Sequence, residues 1–296
     1  MNKALAEVIA SLIPHKMTRN RWRGILRFGI FNSISLIRIL KQKKETPYKH
    51  YLTICAIAKN EGAYFKEWID WHRDLGVEKF YIYDNDSTDD TKVVLKPYIE
   101  SGIVEYHFIS GTKKQLPAYD DCLAKYRLEA RWIAVIDLDE FIVPIKDKSI
   151  PDFLKRFEDF SVVEINCLIY GSGGAKEKGS GGVMERFKWH SAPEHRLNRG
   201  VKSIIDPRRV FNLIGCHEAA RISGKAADSH GQVIKKNWVN RVPIQDVIRI
   251  NHYAVKSYEE FLQKRARGRA RINKIRGLDF FEKYDLNDIN EELRNG

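Results

Sequence analysis

Trp132-Ile133-Ala134-Val135-Ile136-Asp137-Leu138-Asp139-Glu140 decides how this chain reads: an apolar strand runs straight into carboxylates. Side chains on a strand alternate with a period of two, so Asp137 and Asp139 are expected to point the same way from a strand running to Leu138. Like charges gathered at the edge of a buried sheet are unfavourable unless a cation lies between them. A hard divalent ion with oxygen ligands suits that place. Asp-x-Asp alone is a weak motif, and its position at a strand end is what gives it weight.

Working outward, apolar strands alternate with amphipathic stretches. Tyr51–Ala58, Lys79–Tyr83 and Val104–Phe108 read as strands before Trp132–Leu138; Gly62–Leu75, a segment opening at Ser87 or Thr88 and running to Ser101, and Tyr119–Ala130 read as the helices between them. Such alternation predicts an α/β fold with a mostly parallel central sheet flanked by helices. Ligands of these sheets bind outside the carboxyl ends of the strands. Three polar clusters fall there: Lys59-Asn60-Glu61, Asp84 to Asp90, and Asp137 to Glu140. The second half is less regular. Val162–Tyr170, Ser203–Leu213 and Val247–Ile250 read as strands, Gly171–Gly182 as a Gly-rich loop, and Ser257–Arg276 as a basic helix.

A 296-residue chain that is 43% hydrophobic can bury a large core and reads as globular. Its net charge of +12 is uneven: residues 1–50 hold eleven Lys and Arg against Glu7 and Glu45, leaving the rest nearly balanced. A basic helical extension over 1–50 implies an anionic surface, lipid headgroups or nucleic acid, or else a helix packed on the main domain. Within it, Trp22, Ile25, Leu26, Phe28, Ile30 and Phe31 are mixed with Arg and Lys, the pattern of an interfacial helix on an anionic membrane. No run reaches the roughly 20 apolar residues of a membrane span, and no signal peptide is read. Cys55, Cys122, Cys167 and Cys216 are scattered without a Cys-x-x-Cys pair, which argues against a disulfide framework and fits a reducing, cytoplasmic location.

Taken in order, these pieces resemble glycosyltransferases of the GT-A fold, and within them the family 92-like group allied to family 2. The likeness is carried by Lys59-Asn60-Glu61, Asp84-Asn85-Asp86-Ser87-Thr88-Asp89, Gln115 to Cys122, Asp137-Leu138-Asp139-Glu140-Phe141, Gly171-Ser172-Gly173, Glu185-Arg186-Phe187, Lys202-Ser203-Ile204, Asn251-His252-Tyr253 and Lys256 to Phe261. It covers Tyr51 to Gly268. The expected organisation is a basic extension (1–50), a GT-A domain (51–276) and a C-terminal tail (277–296).

The resemblance implies transfer of a hexose, with a lean toward galactose, from a UDP-sugar to a glycan hydroxyl. Asp139 would be the direct ligand of Mn²⁺ or Mg²⁺, with His252 completing the metal–diphosphate site and Asp137 touching the ribose or acting through water. An imidazole ligand favours manganese. Asp84 and Asn85 would read uracil and ribose, with the turn at Lys59, Asn60 and Glu61 helping. Inversion needs a base for the acceptor's proton. Glu185, Glu218 and His217 are the candidates, and Glu185 is preferred because it follows the Gly-rich segment. The implied acceptor is a lipid-linked glycan in surface polysaccharide or lipopolysaccharide assembly, handled at the cytosolic face of a membrane.

Other motifs fail. Cys216-His217-Glu218 lacks the zinc protease's second histidine, because Arg221 stands there, and the Gly171–Gly182 loop has no Walker Gly-Lys-Ser/Thr. Two other functions compete with the transferase. One is a nucleic-acid-binding module using the basic segments, for which no recognition motif is present; the other is a catalytically silent relative serving as a binding platform.

Overall fold

The computed structural model describes residues 8–14, 18, 19, 22, 24–26, 29–42, 46–215, 217–234, 241–268 and 276–293. After helix α1 (Ile30–Gln42), strands β1 (His50–Ala58), β2 (Lys79–Asp84), β3 (Val104–Phe108) and β4 (Ala130–Val135) are linked by α2 (Gly62–Asp74), α3 (Thr91–Glu100) and α4 (Gln115–Tyr126). The four strands are parallel, in the order β3-β2-β1-β4. From Leu52 to Ala58, β1 is buried at every residue, as is all of β4, which is the continuous apolar run of strands covered on both faces. The α2 helix buries Tyr64, Phe65, Trp68, Ile69 and His72, a stripe at helical spacing laid on the sheet. The expected α/β architecture, a mostly parallel sheet flanked by helices, is the one observed.

The chain continues through β5 (Glu140–Pro144), α5 (Ile150–Leu154), β6 (Phe160–Ile169), α6 (Val183–Arg186), β7 (Trp189–His190), β8 (Val201–Ile205), β9 (Val210–Leu213), β10 (Ala219–Arg221), β11 (Lys225–Asp228), β12 (Ile248–His252), α7 (Tyr258–Ala266), α8 (Asp279–Tyr284) and β13 (Ile289–Asn290). The sheet extends from β4 as β8-β6-β12-β5, with β8 antiparallel to both neighbours and β5 antiparallel to β12.

Several elements differ from the sequence reading. Ser203–Leu213 is not one strand: Pro207 opens a 3₁₀ turn, and its Asp206 cap accepts the Arg208 N–H at 2.9 Å, so β8 stays in the main sheet while β9 pairs β10. The basic helix expected to reach Arg276 ends at Ala266, where Gly268 takes φ +82°, a left-handed terminus; residues 269–275 lie outside the described residues, as do Phe28 and Cys216. Residues 277–293 do not trail away: β13 pairs β7, and the Asp285 carboxylate accepts the Ser172 N–H at 2.6 Å. The strand into the acidic motif stops at Val135, and β5, unread in the sequence, starts at Glu140.

That short β5 lies at the end of the sheet, and α2 covers its open edge. The Trp68 indole donates to Glu140 O at 2.8 Å and the Trp71 indole to Ile142 O at 2.9 Å, while the Ile142 N–H donates to His72 Nε2 at 3.1 Å. Unpaired strand edges need such partners. His72 Nε2 accepts, so Nδ1 carries the proton and donates to Trp68 O at 2.7 Å. Burial pushes the His72 pKa down to about 3. Its folded value lies below the ordinary value of about 6.5, so its stabilisation is full above that pH and is lost as pH falls toward 3. The unfolding free-energy gap between the native protein and His72→Gln, from urea titrations at pH 7 and pH 5, is expected to narrow at pH 5.

Candidate active site

Between Ile136 and β5 the acidic motif forms a turn. The Glu140 N–H donates to Asp137 O at 3.1 Å, and the Asp137 N–H donates to Glu140 Oε2 at 3.0 Å. Asp137 and Asp139 therefore converge through this turn and not through strand alternation. The Tyr253 N–H, just after β12, donates to Asp139 O at 2.8 Å and ties the turn to the neighbouring strand. Carboxylate oxygens of Asp137, Asp139 and Glu140 lie within 4.8 Å of one another. His252 ends β12 with Nε2 at 3.7 Å from Asp139 Oδ2 and Nδ1 at 3.8 Å from Glu140 Oε1. Three carboxylates and an imidazole form a donor set that fits Mn²⁺, or Mg²⁺ through the oxygens.

Two buried lysines pair with this cluster. Lys202 on β8 bridges Asp137 Oδ2 at 2.6 Å and Glu140 Oε2 at 2.9 Å. Lys264 on α7 donates to Asp139 Oδ2 and, at 2.7 Å, to Ala254 O. Burial alone would raise Asp139; Lys264 and His252 outweigh it and hold the carboxyl well below the usual range. Burial dominates at Glu140, whose pKa stays raised despite Lys202. Lys256 is buried in a left-handed conformation (φ 58°), its ammonium 3.8 Å from the Tyr64 ring centre, and burial followed by repulsion from Lys264 lowers it to about 8.

The motif opens into a cavity of about 370 Å³, within the roughly 300–1,000 Å³ span of small-molecule sites. Lys59, Glu61, Asn85, Asp137, Asp139, His217 and His252 all line it, so the expected convergence of three loops on one rim is realised. Lys264, Arg267 and Arg276 add cations, and Phe280 and Tyr284 add an aromatic wall. Those two rings are stacked, with centroids 4.3 Å apart.

Four sequence candidates are placed elsewhere. The Asp84 carboxylate is buried, accepting the Ser87 N–H at 2.9 Å and the Tyr106 hydroxyl at 2.7 Å, so it shapes its loop and does not face the cavity. Asn60, left-handed at φ 51°, accepts the Thr88 N–H at 2.7 Å and clamps the turn after β1 to the loop after β2. Glu185 is exposed, outside the cavity lining, and accepts the Gly182 N–H at 3.3 Å as the cap of its own short helix. Glu218 lies in the turn into β10, likewise outside the lining, its carbonyl accepting the Ile214 N–H at 2.9 Å. Among the three base candidates, His217 alone lines the cavity. Its Nδ1 donates to Val201 O at 2.5 Å, which places the ring's basic lone pair on Nε2, and burial with Lys202 nearby lowers its pKa.

Gln115, Lys202, Lys264 and Arg267 were not singled out as site residues by sequence reasoning. One local sign was legible: Ser257 and Glu260 form a capping box, with Ser257 Oγ accepting the Glu260 N–H at 3.2 Å. It starts α7 and puts Glu260, Phe261 and Lys264 on its buried face. Bidentate pairing of Arg186 with Glu260, at 2.9 and 2.8 Å, and a hydrogen bond from Tyr64 at 2.9 Å then lock that end.

Comparison with known proteins adds family information. The glycosyltransferase family 92 model matches residues 50–293. A glycosyltransferase family 92 protein of Arabidopsis thaliana is 26% identical over 238 residues, which is 76% of this chain and 39% of the relative. A galactan beta-1,4-galactosyltransferase of the same plant is 29% identical over 178 residues, which is 54% of this chain and 34% of the relative. The chain thus spans less than half the length of either. Among solved structures, S. aureus TarS 1–349 gives a TM-score of 0.37 at 16% identity, covering 53% of this chain and 47% of that one, a likeness too slight to argue from.

Lys202→Met would leave Asp137 and the buried Glu140 without their shared counter-ion. Breaking such a pair costs about 3–5 kcal/mol. Urea unfolding of the variant is expected to show that loss at pH 7 and a progressively smaller one as pH falls and Glu140, whose pKa is raised, takes up a proton.

Proposed function

The chain belongs to glycosyltransferase family 92, and from that premise we propose that it transfers a hexose from a UDP-sugar to a glycan hydroxyl with inversion. The carboxylate cluster opening on a cation-rimmed cavity is the observation that carries this reading. Galactose is the donor sugar best supported, through the galactan galactosyltransferase relative. A divalent ion, manganese by preference, held by Asp137, Asp139 and His252 would take up charge on the departing diphosphate. Lys59, Arg267 and Arg276 bring further positive charge to the cavity for the phosphates. Nucleotide contacts fall to Asn85, Glu61, Lys59 and Asp137, which line the cavity, while Asp84 and Asn60 keep the loops in shape. His217 is the base we assign, because its neutral imidazole faces the cavity and can accept the acceptor hydroxyl's proton at Nε2.

Calorimetry with UDP and Mn²⁺ tests this reading. Native protein is expected to bind both and, when given UDP-galactose, to release UDP. Asp139→Ala should lose binding, whereas His217→Gln should keep binding and lose turnover by roughly 10²-fold or more. Absence of UDP binding to the native protein would instead favour the silent platform.

The acceptor we propose is a lipid-linked glycan, met at the cytosolic face of a membrane. Leu36 of α1 packs on Phe211 and Ala220. Its other side leaves Ile30, Phe31, Ile34 and Ile39 exposed, with Phe31 at 86%. Val8, Leu12 and Trp22 are exposed too, in the segment that carries most of the excess positive charge. Apolar residues set among cations support an interfacial helix. Among the described residues, no helix is long and apolar enough to cross a membrane, and Cys55, Cys122 and Cys167 are buried thiols, which supports a reducing compartment. Co-sedimentation with phosphatidylglycerol vesicles is expected to drop by about tenfold or more on Phe31→Asp with Ile34→Asp. Unchanged sedimentation would defeat the membrane reading.

A further inference from the structure

We propose that Lys264 is the resident counter-ion of Asp139 and must leave it before that carboxylate can serve a metal, so that metal binding is coupled to arrival of the nucleotide diphosphate. The inference rests on the reading of the cavity as a metal-assisted UDP-sugar site.

One oxygen is contested. Asp139 Oδ2 accepts from Lys264 Nζ and also lies 3.7 Å from His252 Nε2. A divalent ion placed against that oxygen would face a buried ammonium of like sign, because both the Lys264 and the Asp139 side chains are 8% exposed. Asp137 and Glu140 are engaged in the same way by Lys202. Three carboxylates face the ammonium groups of Lys202 and Lys264, and the buried Lys256 acts on Asp139 as well, which leaves only a weak attraction for a dication alone.

Displacing Lys264 without a new partner would strand a buried cation, and an unpaired buried charge is strongly unfavourable. A diphosphate in the same cavity removes that penalty by offering Lys264 a second set of oxygens. Lysine suits such an exchange, since its ammonium sits on a flexible four-carbon stem with three donors. Lys264 lines the cavity beside Arg267 and Arg276, the place where a diphosphate would offer those oxygens. The capping box and the Arg186–Glu260 pair hold the start of α7 still meanwhile. Asp139 exchanges an ammonium for a metal while Lys264 exchanges a carboxylate for a phosphate. The two binding events then help each other by equal factors.

Mn²⁺ binding followed by electron paramagnetic resonance, with and without UDP, tests the coupling in the native protein, in Lys264→Met and in Lys264→Arg. Native protein is expected to bind Mn²⁺ about tenfold or more tightly when UDP is present. Lys264→Met should bind Mn²⁺ alone about tenfold more tightly than the native protein does, with most of the UDP effect gone. Lys264→Arg keeps a cation beside Asp139 and should keep tighter Mn²⁺ binding in the presence of UDP than in its absence. If native protein binds Mn²⁺ equally well with and without UDP, the inference falls, whatever the variants do. If Lys264→Met matches native Mn²⁺ affinity while native protein still binds UDP and Mn²⁺, it falls too and the functional reading stands. No Mn²⁺ binding to native protein even with UDP would overturn the metal reading and this inference together.

Discussion

Asp137, Asp139 and Glu140 crowd their carboxylate oxygens within 4.8 Å at the rim of a buried sheet, and that repulsion must be balanced for the fold to persist. Lys202 and Lys264 supply the balance from two separate elements, β8 and α7. Each is buried, so stranding either ammonium without its carboxylate, or the buried Asp139 or Glu140 without an ammonium, is strongly unfavourable. The sheet order places β8 beside β4, the strand leading into the motif, and so brings Lys202 within reach. Charge balance and strand pairing therefore enforce the same arrangement.

Supports around the cluster act on its backbone. The indoles of Trp68 and Trp71 and the imidazole of His72 satisfy the open edge of β5, and the Tyr253 N–H holds the Asp139 carbonyl. Asn60 and the Asp84–Asp90 loop clamp each other, which fixes where Lys59 and Asn85 reach the cavity. Several polar groups that looked like ligand readers are spent on this internal bonding. The diphosphate site proposed above would need cations and oxygen ligands held in fixed relation, and these backbone bonds supply that.

The C-terminal segment closes the remaining side. Phe280 and Tyr284 form a wall of the cavity, while β13 pairs β7 and Asp285 binds the backbone after β6. Family membership extends to residue 293 and so includes this segment. Cations, carboxylates and aromatic rings then share one cavity, a combination suited to a charged nucleotide joined to a sugar.

How much of this was legible follows from the range of each interaction. The parallel strands, their helices, the acidic motif and the convergence of three loops at one rim are encoded in periodicity and strand-end position, which short stretches of sequence carry. His252 was legible through the family resemblance alone, and the structure puts it at the end of β12. Pro207, which breaks Ser203–Leu213, and Gly268, which follows the end of α7, are local signals that the hydrophobic pattern masks. Lys264 as the partner of Asp139, 125 residues away, left no local trace, and neither did Lys202 facing Asp137 across 65 residues. Nor could composition tell Asp84, consumed by Ser87 and Tyr106, from Asp137, which faces the cavity. The sequence by itself determined the class of fold and which strand ends gather polar groups. Only the tertiary structure decided which charges meet, because Coulomb pairing depends on distance through space and burial, and neither is written along the chain.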